Sequence, residues 1–168
     1  RMLSPGLASE YAYMLYFLKN AEAYNNGRLA DFSQVGVKAP DDHTLVFTLT
    51  HPTPFFPSLL AHSSWYPVHP ATILKFGKID QRGTAWTRPG NYVGDGPFVL
   101  TEWTPDQVIR VTKSPTYWNH AAVKLNEIDF FPIENDATEE AAFRSGQLHI
   151  TSTIPTEKIA VYKREHPE

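Results

Sequence analysis

NYVGDGPFVLTEWTPDQVIRVTKSPTYWN, residues 91–119, is the stretch from which the rest of the chain can be read. Pro97 opens a run over residues 98–103 with the composition of a β-strand. Thr104-Pro105-Asp106-Gln107 then places proline at the second position of a turn, and residues 108–113 lead away as the second arm of a hairpin. The Gly94-Asp95-Gly96 that precedes it does not cradle a phosphate. A P-loop needs Lys-Ser/Thr after its glycines, and a dinucleotide fingerprint needs strand, turn and helix in that order. Here the glycines precede a proline and a strand, so they read as a chain crossing, where access to positive φ permits a sharp change of direction.

Downstream, residues 128–133 read as a strand and residues 137–144 as a helix stopped by Ser145-Gly146. Residues 148–151 read as a short strand, and residues 155–164 as a closing helix with Thr153 or Thr156 as cap and Ile159 and Tyr162 inward. Upstream, Tyr11, Met14, Leu15, Leu18 and Ala21 form an apolar stripe of helical period. It predicts a helix opened at Ser4-Pro5 or Ser9 and ended by Asn25-Asn26-Gly27. A second hairpin follows, with residues 35–39 and 44–50 as its arms and Pro40-Asp41-Asp42-His43 as its turn. Leu45, Phe47 and Leu49 share one face of the second arm, as a half-buried strand requires. Short helices are predicted after Pro54 or Pro57 and over residues 70–76, and an exposed loop over residues 78–91. The sum is a mixed α/β (α+β) chain of antiparallel hairpins plus short helices, with a joint in the nineties.

The 168 residues carry 42% hydrophobic and 20% charged side chains, the composition of a globular chain. A net charge of −3 without any Lys/Arg cluster argues against nucleic acid as a partner. The absence of cysteine removes disulfides, thiolate metal sites and cysteine nucleophiles. No stretch approaches the roughly 20 apolar residues of a transmembrane helix. Beginning at Arg1 and stopping at Glu168 straight after "EHP", the sequence reads as an excised internal piece or a processed product.

His43, His51, His62, His69, His120, His149 and His166 show no HExxH or H-x-H spacing, so no metal site is expected. Ser63-Ser64 lacks the flanking glycines of a nucleophile elbow. Glu139 and Glu140, adjacent on a helix, point about 100° apart and read as a solvated face, not as an acid/base pair. No catalytic residue and no cofactor is expected. Trp65, Trp86, Trp103 and Trp118 belong to an aromatic content of 13%, assigned mostly to core with a few rings available to line a cleft.

"ASEYAYML", "VGVKAPDDHTLVFTL", "PTPFFPSLL", "YPVHP", the quoted 91–119 stretch and "FRSGQLHI" occur in the order in which similar segments occur in bacterial extracellular solute-binding proteins of family 5. The chain closely resembles these peptide-binding receptors of ABC importers over essentially its whole length. The resemblance implies a partial periplasmic-binding-protein-like fold (type II, family 5) and a periplasmic or extracellular location. Residues 1–93 would be part of the small second domain and residues 94–168 the central section of the first, ligand-binding domain, with the third domain absent. Gly94, Asp95, Gly96 and Pro97 would form the joint between the two.

A peptide ligand and membrane ABC permease subunits are the implied partners. One wall of the cleft would come from Ser9, Tyr11 and Tyr13 and from Thr151, Ser152 and Thr153, although the apolar stripe assigns Tyr11 to the core. Two departures stand out. Gly94-Asp95-Gly96 replaces the family's Ser/Thr-Asn-Gly, and Gly146-Gln147-Leu148-His149 replaces its Gly-Glu-Leu/Ile-Asp, which puts His149 in doubt as a ligand contact. The same fold binds nickel chelates, haem or cell-wall peptides elsewhere, and serves as the ligand-sensing domain of some transcriptional regulators. A piece cut from such a fold would expose apolar surface and tend to oligomerise.

Overall fold

A computed structural model describes residues 1–165, so His166 lies outside the described residues. Two separate antiparallel sheets organise it. β1 (Val37–Asp41) pairs with β2 (Thr44–Phe47), and β3 (Phe98–Thr104), β4 (Val108–Lys113) and β5 (Glu127–Phe130) form a three-stranded meander in that order. Five short helices accompany them: α1 (Ala21–Asn25), α2 (Phe56–Leu59), α3 (Pro70–Phe76), α4 (Asp136–Arg144) and α5 (Ile159–Glu165).

The β3–β4 hairpin forms as its sequence dictates. Gln107 N–H donates to Thr104 O at 3.1 Å, and Asp106 takes φ 59 at the third turn position, a left-handed value that aspartate tolerates. Register shifts between Leu100 and Glu102, where Thr101 Oγ1 donates to Arg110 O at 3.2 Å. α4 is likewise local in origin. Asn135 Oδ1 accepts from Thr138 N–H at 2.9 Å as N-cap, and Gly146 at φ 79 terminates the helix.

The predicted first helix does not form as one element. A 3₁₀ turn at Pro5–Leu7 and another at Ala12–Leu15 precede α1, with left-handed residues at Ala8 (φ 48) and Asn20 (φ 61). The cause is long-range pairing. Thr50 N–H donates to Phe17 O, Lys19 N–H to Thr48 O and Gly36 N–H to Lys19 O, at 2.8–2.9 Å, and Thr48 N–H donates to Gly36 O at 2.8 Å. Residues 17–19 thus lie as an extra extended segment beside residues 36 and 48–50, and the i→i−4 bonds of a regular α-helix do not run through it. The crossing is so close that a Cβ on Gly36 would sit 2.1 Å from Thr48 O.

Leu18 and Ala21 of the stripe nevertheless enter the core. Leu3, Leu18, Ala21 and Val35 are buried together, with Leu15, Tyr16, Tyr24, Phe47, Leu49, Phe56 and Trp65 packed around them. Phe47, Phe56 and Trp65 meet edge-on with ring centroids 5.3–5.8 Å apart. Leu45, predicted to share the burial of Phe47, stands 59% exposed instead, because the hairpin tip projects beyond the cluster. The 78–91 loop is pinned to the N-terminal segment: Arg1 donates to Ile79 O, Ser4 Oγ to Asp80 Oδ2 at 3.2 Å, and Arg82 Nη2 to Ala8 O at 2.8 Å.

The 98–165 half is built differently. Arg110 on β4 donates to Asp129 on β5 through Nε (2.7 Å) and Nη2 (2.8 Å) and reaches Glu102 on β3 at 3.1 Å, clamping all three strands. The predicted strand over residues 148–151 is absent. No described strand lies beside it, and Ile150 is 83% exposed.

Candidate functional site

The N-terminal group of sequence-predicted site residues forms a small aromatic surface. Ala12 is buried, so its neighbours Tyr11 and Tyr13 on the same turn face outward, 51% and 55% exposed. Their ring centroids lie 6.3 Å apart, and Tyr11 lies 5.7 Å from the ring of His62. The assignment of Tyr11 to the core is thereby corrected: a 3₁₀ turn does not hold it on the stripe that a regular helix would. Ser9 is half-buried, with Oγ 3.7 Å from Met2 Sδ.

The second group is anchored by a residue that sequence reasoning assigned to solvent. Glu139, only 8% exposed, accepts from Ser152 N–H (2.7 Å) and Ser152 Oγ (2.9 Å) at Oε1, and from Thr153 Oγ1 (3.4 Å) at Oε2. The backbone N–H of Ser152, more than any other contact, holds the carboxyl below the usual glutamate range, against the opposing effect of burial. Glu140, also buried, accepts from Lys158 Nζ and from Tyr162 Oη at 2.7 Å, and Arg144 lies 3.8 Å away. The Lys158 bond is the first cause of its lowered pKa, and the bond to Glu140 raises that of Tyr162. The two glutamates are therefore corrected from solvated face to buried anchors, one holding residues 152–153 and the other α5. The signal available in the sequence was weak: serine, threonine and lysine 13 to 19 residues downstream of a glutamate pair.

No hydrogen bond or ring contact among the described residues links the Tyr11 group to the Ser152 group. Two shallow clefts occur elsewhere, one between α4 and α5 around Phe143 and Tyr162, the other between the β3–β4 turn and α4 around Phe131 and Leu148. Neither contains a predicted site residue.

At the supposed joint, Gly94 and Gly96 do not take positive φ; Gly90 does, at φ 78. A Cβ on Gly96 would meet open space, whereas one on Gly94 would come 3.0 Å from the Tyr92 ring. The expectation that these glycines supply left-handed backbone is therefore corrected. Arg88 lies 5.3 Å over the Trp103 ring, a cation–π contact that spans the segment.

His62, His69 and His120 have local tasks. His62 Nδ1 accepts from Ser64 N–H at 3.3 Å and lies 2.8 Å from Ser64 Oγ, while His69 Nδ1 accepts from Thr72 N–H at the start of α3. The Ser64–His62 contact is a cap: two residues apart, it closes a 3₁₀ turn and leaves Ser64 8% exposed. His120 Nδ1 lies 2.7 Å from Ser114 O and must donate to it. Among the described residues no group of three His, Asp or Glu could hold a metal ion.

Comparison with known proteins places this geometry in a lineage. The family model described as bacterial extracellular solute-binding proteins, family 5 Middle, matches residues 1–167. The periplasmic oligopeptide-binding protein OppA of Escherichia coli K12 is 37% identical over the whole chain, and the dipeptide-binding protein DppE of Bacillus subtilis 168 is 35% identical over 94% of it. Haemophilus influenzae OppA in complex with the peptide RPPGFSPFR superposes over 97% of the chain with a TM-score of 0.87 and 33% identity. The chain spans 30%, 27% and 31% of these three proteins, respectively. With the family model matched along virtually its full length, the chain belongs to the bacterial extracellular solute-binding proteins, family 5.

Proposed function

We propose that the chain is the part of an ABC importer's substrate-binding receptor that forms one wall of a peptide-binding cleft. Residues 1–93 belong in this reading to the small second domain, residues 94–168 to the central section of the first, and Gly94 to Pro97 to the passage between them. The receptor works outside the cytoplasmic membrane, in the periplasm or at the cell surface, and delivers peptide to the membrane permease. It binds and releases without catalysis.

The observation that carries the reading is the close superposition on a receptor solved with a nonapeptide, along nearly the whole chain. Two features of the surface support it. Tyr11 and Tyr13 offer exposed aromatic faces, which hold extended peptide without demanding a particular side chain. Ser9 and residues 151–153 add hydroxyl groups for the peptide main chain.

Isothermal titration of the purified chain with trialanine, which offers main-chain groups and almost no side chain, tests the proposal. Saturable binding that Tyr11→Ala and Tyr13→Ala weaken is expected. No heat from a folded chain overturns the claim that this wall binds peptide.

A further inference from the structure

Glu139 does more than anchor a loop. It consumes the donors of the segment it holds. The Ser152 amide hydrogen and both hydroxyl hydrogens, of Ser152 and Thr153, are directed at one carboxylate, and the Thr153 backbone N–H faces it as well. A hydroxyl has a single hydrogen and two lone pairs, and an ionised carboxylate only accepts. The lowered pKa of Glu139 keeps it ionised at neutral pH. Each hydroxyl therefore has only lone pairs left, and the buried negative charge behind it strengthens them as acceptors. Ser152 and Thr153 are themselves exposed, while the carboxylate stays beneath.

We propose that Glu139 sets the hydrogen-bonding polarity of residues 152–153, so that this segment presents acceptors alone and recognises N–H donors of a ligand: main-chain amides or an ammonium group. The inference rests on the reading that residues 151–153 face the ligand. Glu139 is a positioning residue here, since it acts through the two hydroxyls. Glutamine at the same place would accept at one atom and donate at the other, turning at least one hydroxyl hydrogen outward and mixing the polarity.

The test is titration calorimetry of the whole chain with trialanine and with its two depsipeptide analogues, in which an ester oxygen replaces one amide N–H at a time. The unaltered chain should bind trialanine about tenfold more tightly than one of the two esters, the loss of a single hydrogen bond. Glu139→Gln should bring peptide and ester within about threefold of each other, and Glu139→Asp, which keeps the charge, should preserve more of the difference. In the free protein the Ser152 amide proton resonance should lie far downfield, follow the titration of a carboxylate, and lose both properties in Glu139→Gln. Should Glu139→Gln fail to fold, Ser152→Ala/Thr153→Val removes the hydroxyls with Glu139 in place and must abolish the same discrimination. Equal affinity for peptide and both esters in the unaltered chain, or full discrimination retained by Glu139→Gln, overturns the inference while leaving peptide binding intact. No binding of any of the three by a folded chain overturns both the peptide reading and this one.

Discussion

Replacing Leu18 by alanine should unfold this chain far more readily than replacing Leu45, although both are leucines in apolar-patterned segments. Leu18 is 2% exposed and packs in the cluster of Leu3, Ala21 and Val35, whereas Leu45 is 59% exposed. Leu→Ala deletes three carbons, and at about 0.8 kcal/mol for each buried carbon the transfer loss at Leu18 is about 2.4 kcal/mol. The cavity left between residues bonded to both 36 and 48–50 cannot collapse freely, which brings the expected cost to about 3–4 kcal/mol. At Leu45 less than half of the side chain is covered, so the cost stays below about 1 kcal/mol. Urea unfolding followed by tryptophan fluorescence reads the difference, since Trp65 reports from within the cluster. With a slope of about 2 kcal/mol per molar urea, the Leu18→Ala midpoint should fall by about 1.5–2 M and the Leu45→Ala midpoint by less than about 0.5 M. Comparable shifts for the two variants would refute the fold assigned to residues 12–21. That result would fit a regular first helix with a fully alternating β2 packed on it.

Two further predictions follow from single positions. Gly36→Ala should cost about 3 kcal/mol or more, because its Cβ would collide with the Thr48 carbonyl, while Gly96→Ala, facing open space at an unrestricted φ, should stay within about 0.5 kcal/mol; urea midpoints of the two variants check both. On the acid side, Asp129, Glu139 and Glu140 all have lowered pKa values, so the stability they contribute is fully present above the unfolded carboxyl values of 3.8 and 4.5 and is lost as pH falls through their folded values. Thermal midpoints should hold steady from pH 7 to about 5 and drop below that, with a shallower acid limb in Glu140→Gln; a midpoint that rises on acidification would contradict the assigned contacts.

What could be read from the chain and what could not divides by the reach of the contacts. The β3–β4 hairpin, α3 and α4 were legible because a turn proline, an N-cap and a terminating glycine lie within the elements they shape. The first helix was not, since the bonds that forbid it join residues 17–19 to residues 36, 48 and 50. A one-dimensional period can report that Leu18 and Ala21 are buried without reporting the backbone that buries them. Glycine shows the same limit: the quoted Gly94-Asp95-Gly96 drew attention by its pattern, yet a position whose backbone neighbours leave no room for a Cβ is Gly36, inside what reads as an ordinary strand. At the candidate site, Tyr11, Tyr13 and residues 151–153 came from the resemblance to a family and not from their chemistry. Their anchor Glu139 was invisible because its partners lie beyond the helix that carries it.

The two halves of the chain hold their shape by different physics. In the first half, apolar side chains close on one another, and the burial of Leu3, Leu18, Ala21 and Val35 is non-directional. Among the described residues from 98 onward the buried side chains are Ser114, Glu139, Glu140 and Pro155, with no large apolar group among them. There, order comes from bonds that have direction. Arg110 grips Asp129 with two parallel N–H bonds, which a slip of one residue between β4 and β5 would break. Ion pairs this exposed add little to stability, so their contribution is register. Glu139 and Glu140 do for residues 152–153 and α5 what Arg110 does for the sheet. A loop fixed by Ser152 and Thr153 donors to one buried carboxylate keeps its hydroxyls in place without an apolar core beneath them.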